Sequence, residues 1–304
     1  MNSDRSDRLP KPDWVRKGRG IGPSVRWTFN TDAPLTGLRL ARETGEVLVS
    51  DETGGIYRID RRGEYSAVNR LREPIREIAW SDDGQTAITL VGESEIHLFD
   101  RNLKEQWKLE LPVQCLQIAI DPYGRYFVVS LIDSGNLIFD VHKRRIAGFE
   151  TIRPLKHLCF VTSESLLIGA AEHGLICCHA LDGDQIWQEK LWSNVGEMVT
   201  TGDGDLIYIA GFTHGVQTFD GEGDPIGTYI VEGTVNRLTA SYDPNRLLAS
   251  TIERHLYWLD ADGELLWSTT TPEDVSRLAC DAFGEWAVCG FANGQLICLD
   301  WSRG

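Results

Sequence analysis

Short apolar runs of strand length recur along this chain, each bounded by turn-forming residues. Near the carboxy end, runs at 275–280, 285–291 and 294–300 are joined by Asp281-Ala282-Phe283-Gly284 and by Ala292-Asn293, the pattern of antiparallel hairpins. Equivalent turns occur at Ser81-Asp82-Asp83-Gly84, Asp121-Pro122-Tyr123-Gly124, Gly202-Asp203-Gly204 and Tyr242-Asp243-Pro244-Asn245. A fourth run follows a polar turn and often carries Trp, as at Trp107, Trp187 and Trp267. An apolar residue followed by Asp closes the third run of every unit, at Asp60, Asp100, Asp140, Asp182, Asp220, Asp260 and Asp300, with spacings of 40, 40, 42, 38, 40 and 40 residues. Four strands per unit of about 40 residues is the blade period of a β-propeller, whose sheets bury their faces only against neighbouring blades.

The expected fold is therefore all-β: a seven-bladed propeller of four-stranded antiparallel blades spanning residues 25–304. The last repeat ends at Asp300-Trp301-Ser302-Arg303-Gly304 without a fourth strand, while 25–30, followed by Thr31-Asp32-Ala33-Pro34, reads like 265–270 followed by Thr271-Pro272-Glu273-Asp274. The amino-terminal strand is thus expected to complete the carboxy-terminal blade, removing two open sheet edges. Residues 1–24 carry Arg5, Arg8, Lys11, Arg16, Lys17 and Arg19 with Pro10, Pro12 and Pro23 and show no periodicity, which predicts a basic, flexible tail of little weight in stability.

Segments such as Ile75-Arg76-Glu77-Ile78-Ala79-Trp80-Ser81-Asp82-Asp83-Gly84 resemble the first strand and turn of WD repeats, and Leu259-Asp260-Ala261-Asp262-Gly263-Glu264-Leu265-Leu266-Trp267 resembles quinoprotein-like repeats. The resemblance to these propellers covers residues 25–304 and implies a shape. It does not extend to the Gly-His pair or terminal Trp-Asp of WD repeats, and no cofactor is implied.

Charge narrows the partners. A net charge of -15 opposes binding to nucleic acid or anionic membranes, whose affinity comes from Lys and Arg meeting phosphates. The longest apolar runs, such as 126–132, are far below the 18 or more residues of a membrane helix. Residues 1–8 have no apolar leader-like core, so a cytoplasmic, monomeric protein is expected. The seven cysteines (115, 159, 177, 178, 280, 289, 298) sit mostly in apolar runs and read as reduced core thiols.

Chemical motifs give little. Cys177-Cys178 with His173 and His179 has metal-ligand residue types, but adjacent strand residues point to opposite faces, so no metal is expected there. Gly18-Arg19-Gly20-Ile21-Gly22 lacks the strand and helix of a phosphate loop. Asp220-Gly221-Glu222-Gly223-Asp224 lacks the spacing of a calcium loop. No catalytic residue and no cofactor is assigned.

Superposing the repeats places Gly37, Glu77, Gln117, His157, Glu197, Arg237 and Arg277 in one column at the start of the innermost strands, preceded by Thr36, Arg76, Leu116, Lys156, Gly196, Asn236 and Ser276. The candidate binding rim comprises Lys156, His157, Glu77, Glu197, Arg237 and Arg277 with Trp192, Phe212, His214 and Phe291 on neighbouring loops, since aromatics and Arg are the residues that interfaces favour. The expected role is a scaffold that binds another protein or peptide through this rim. The alternative is a small-ligand sensor or a hydrolase- or lactonase-like enzyme with its site at the central channel mouth.

Overall fold

A computed structural model describes residues 9–212 and 215–302, and strand dominates it. One helical turn, Asp13–Arg16, is the only α-helix among these residues. The marker Asp residues explain the period. Asp100 Oδ1 accepts the backbone N–H of Asn102 and Lys104 at 2.9 and 3.0 Å, and Asp60, Asp140, Asp220 and Asp260 hold their own turns in the same way. Three residues after each of these the backbone is left-handed, at Gly63, Leu103, Lys143, Gly223 and Gly263. The carboxylate thus ties a tight turn between third and fourth strands.

All sheets are antiparallel. The first three are Leu35–Ala41 to Tyr65–Arg70, Ile75–Trp80 to Glu105–Glu110, and Cys115–Ile120 to Arg145–Glu150, each a four-stranded meander. The next sheet has seven strands, from His157–Phe160 to Pro225–Tyr229, so six sheets stand where the repeat count predicts seven. The cause is the 16-residue strand Gln185–Thr200. Its first half pairs with His173–Ala180 and its second with Leu206–Gly211, so it serves two four-stranded ladders. Other connections of this kind are broken by Pro34, Pro74, Pro112, Pro154, Gly233 or Pro272, whereas Leu191-Trp192-Ser193-Asn194 has neither breaker and stays extended.

Val235–Ala240 to Leu265–Thr270 form the next sheet, and Val275–Cys280, Trp286–Phe291 and Gln295–Asp300 the last. As the sequence predicts, Ser24–Asn30 pairs with Gln295–Asp300, with Val25 opposite Leu299 and Trp27 opposite Cys298. Arg26 Nη2 fastens the pairing by donating to Asp300 Oδ2 at 2.8 Å.

Apolar side chains are buried between successive ladders. Ile88, Leu98, Phe127 and Val129 fill one such layer, and Leu38, Val49, Val288 and Cys298 fill the layer joining the last sheet to the first. Cys177 and Cys178 fall in different layers, on opposite faces of their strand. Fourth-strand side chains add polar bridges across these gaps: Trp107 Nε1 donates to Val141 O at 2.8 Å and Trp187 Nε1 to Gly221 O at 2.9 Å.

Residues 13–22 depart from the expected flexible tail. Val15 is buried and Trp14 packs edge-on against Phe291. Arg19–Gly20 pairs with Ser268 and Trp267, and Trp301 Nε1 donates to Ile21 O at 3.0 Å. The segment is basic in composition, but burial of Trp14 and Val15 gives it a reason to fold down. Its glycines allow the approach. A Cβ at Gly18 would stand 2.3 Å from Trp267 Nε1, and Gly20 has φ +96 with Leu266 O directly above it.

Candidate functional site

The first strand of each ladder packs beside the next, and Val275–Cys280 lies against Leu35–Ala41. Most of these strands begin with a register shift, between Leu35/Gly37, Ile75/Glu77, Cys115/Gln117, Val195/Glu197, Val235/Arg237 and Val275/Arg277. A β-bulge bends a strand and re-aims its side chains. Here it lies immediately before the polar column, and those side chains line a cavity of about 300 Å³ where the first strands converge.

That cavity brings together Glu77, His157, Glu197, Arg237 and Arg277 of the column with Lys156 and Phe212, and adds Arg39 and Glu172. Arg39 fills in for Gly37, two residues earlier on the same strand face. Its Nη2 donates to Glu77 Oε1 at 3.1 Å, and Arg277 Nη2 stands 3.8 Å from Glu77 Oε2. Lys156 Nζ is taken by Glu172 Oε2 at 2.7 Å. His157 Nδ1 lies 3.3 Å from Glu197 Oε1. Burial alone would raise the Glu197 carboxyl, but the hydrogen bond and charge of His157 and the charges of Arg237 and Arg277 outweigh it and hold the group at about 2. Glu197 is therefore a carboxylate that accepts from the His157 N–H.

Two rim candidates, Phe291 and Trp192, stand elsewhere. Phe291 is buried beneath Trp14 because the amino-terminal segment covers it. Trp192 is on the surface, 89% exposed, on the connection inside Gln185–Thr200. His214 lies outside the described residues.

A second space of about 210 Å³ shares Arg39, His157, Glu197 and Arg277 with the first and is also lined by Arg42, Asp82 and Cys159. Burial pushes the Cys159 thiol up, with Arg42 opposing, so this sulfur is a poor nucleophile at neutral pH. Burial likewise raises the Asp82 carboxyl against the pull of Arg42. The chemistry available here is recognition by charged forks and hydrogen bonds.

Besides Trp192 and Phe212 of the candidate rim, an apolar arc includes four isoleucines that the sequence column missed. Ile132, Ile152, Trp192, Phe212, Ile230 and Ile252 are all exposed, and all lie on connections entering a first strand or on loops between second and third strands, from the third four-stranded ladder to the sixth. In the other repeats the same connections and loops carry Asp32, Glu52, Glu73, Glu93, Glu273 and Asp274 together with Arg72, and Glu172 stands within the span of the arc itself. Isolated isoleucines in separate repeats form no local motif, so only their repeat positions relate them. No helix among the described residues is long and apolar enough to cross a membrane. Compared with known proteins, the chain matches no protein-family model and no curated sequence.

Proposed function

We propose that this chain is a closed seven-bladed β-propeller that holds another protein against one rim, with the arc from Ile132 to Ile252 as the contact surface. Two features support the closed ring: the interlock of Ser24–Asn30 with Gln295–Asp300, and the apolar layer between the last sheet and the first. The arc carries the functional reading. Scattered single apolar residues are ordinary on a surface, and others stand on fourth strands and on the opposite loops, but here each of four successive ladders supplies at least one to the same set of loops, which marks a contact site. Trp192 at 89% exposure and Ile230 at 93% are large apolar side chains whose burial by a partner would stabilise a complex by roughly 1.5–3 kcal/mol each. The acidic remainder of the rim excludes acidic competitors and favours a partner that presents an apolar face edged by basic residues.

The test is a paired capture from the native source, read by mass spectrometry and repeated with the purified partner. Trp192→Asp with Ile230→Asp should abolish binding of a partner that Phe283→Asp, on the opposite rim, still holds. Equal binding by both variants, at unchanged melting temperature, would refute the arc as the contact.

A further inference from the structure

We infer that the central cavity is a carboxylate-binding site, with the guanidinium groups of Arg237 and Arg277 as the fork that receives it. The two side chains converge on one atom. Arg237 Nε donates to Ser276 O at 2.7 Å, and Arg277 Nη1 donates to the same oxygen at 2.9 Å. Each is fixed further by carbonyls, Arg237 by Asn236 O at 2.8 Å and Arg277 by Thr36 O at 2.7 Å. Backbone carbonyls orient a guanidinium without cancelling its charge. Among the described residues Arg237 has no carboxylate within ion-pair distance, and its Nη2 has no hydrogen-bond partner.

Two adjacent, pre-positioned cations in a half-buried space repel one another, and an anion between them relieves that cost. Burial and the neighbouring Arg277 both work against the Arg237 charge, with Glu197 and Glu77 opposing them. The charge balance selects the anion. Arg39, Lys156, Arg237 and Arg277 face Glu77, Glu172 and Glu197, so four cations against three carboxylates leave one positive charge in a chain of net charge -15. One carboxylate balances that charge, whereas a phosphate dianion overshoots it beside Glu77 and Glu197. Planar forks also match a planar carboxylate. A space of about 300 Å³ sits at the small end of ligand pockets, roughly 300–1,000 Å³, and suits a short acid or one acidic side chain.

Calorimetric titration of the full chain with butyrate, an amidated and acetylated pentapeptide carrying a single Glu, and inorganic phosphate tests this independently of the rim arc. Saturable binding of butyrate or the peptide is expected, and whichever binds names the source as a free acid or a partner's Asp or Glu. Arg237→Gln should weaken it at least tenfold and Arg277→Lys, which keeps the charge but loses the fork, by a similar factor. Arg254→Gln, a surface control, should leave it unchanged. Absence of saturable binding by either acid, phosphate binding as tightly, or unchanged affinity in a folded Arg277→Lys variant would each overturn the assignment. Loss of partner capture in the arc variants with carboxylate binding intact would separate the two sites.

Discussion

His157 donates to Glu197 across 3.3 Å, linking the first strands of two successive ladders inside one cavity. Because Glu197 is held at about 2 against an ordinary 4.5, its contribution to stability is fully present above pH 4.5 and is lost as the pH falls toward 2. Glu197→Gln should therefore cost on the order of 2 kcal/mol at pH 7. The difference from the unaltered chain should shrink steadily between pH 4.5 and 2. Urea unfolding across that range measures it, and a pH-independent difference would show that the carboxylate charge is not what stabilises the pair.

The amino-terminal segment offers a second test. Gly18 lies on the indole of Trp267, and Trp301 stacks on Trp258 at 4.3 Å beneath the same segment. Gly18→Val has no room and should lift the segment, exposing Trp267 and lowering the melting temperature by several degrees. Deleting residues 1–23 should have a similar effect and leave the chain monomeric. Deleting residues 1–30 should also promote association, since it opens the edge of Gln295–Asp300. Light scattering beside thermal melts distinguishes the two truncations.

The repeat made the fold legible because turn chemistry is local: five of the marker Asp residues organise the residues two and four positions after them, and that geometry is written in adjacent letters. The interlock was legible for the same reason, as 25–30 and 265–270 share a pattern. The basic residues at 11–19 concealed the packing of Trp14 and Val15, which depends on a partner surface some 250 residues away. The column at Glu77, His157, Glu197, Arg237 and Arg277 followed from repeat superposition. The ties of Arg237 and Arg277 to backbone carbonyls did not, because backbone acceptors leave no trace in composition. Because of those ties, reversing both charges would leave the carbonyls without donors and place new carboxylates beside Glu77 and Glu197, so it should lower the melt as well as any binding.

The marker turns should be unequal. Asp100 Oδ1 accepts from two backbone N–H groups and Asp100 Oδ2 accepts from Gln106 Nε2 at 3.0 Å, whereas Asp182 accepts from Asp184 N alone, at 3.1 Å. Asp100→Ala should therefore cost about 1–2 kcal/mol and Asp182→Ala less than half of that. Paired chemical denaturation of the two variants reads the ranking, and equal costs would mean that the turns are held by backbone geometry rather than by the carboxylate.

Ser134 occupies a loop position where other ladders place Gly54, Gly174 and Gly294, and it adopts φ 74 there as a non-glycine. Left-handed backbone costs an L-residue roughly 1 kcal/mol because Cβ crowds the following carbonyl. The Ser134 side chain forms no hydrogen bond among the described residues, its carbonyl rather than its hydroxyl being the group that accepts, from Thr151 N at 3.1 Å. Glycine keeps that carbonyl and removes the strain, while its greater freedom in the unfolded chain returns part of the gain. Ser134→Gly is accordingly expected to stabilise the protein by about 0.5 kcal/mol, seen as a small rise in melting temperature. Ser134→Ala, which keeps Cβ, should give no rise, and a lower melt for the glycine variant would show that this loop is not strained.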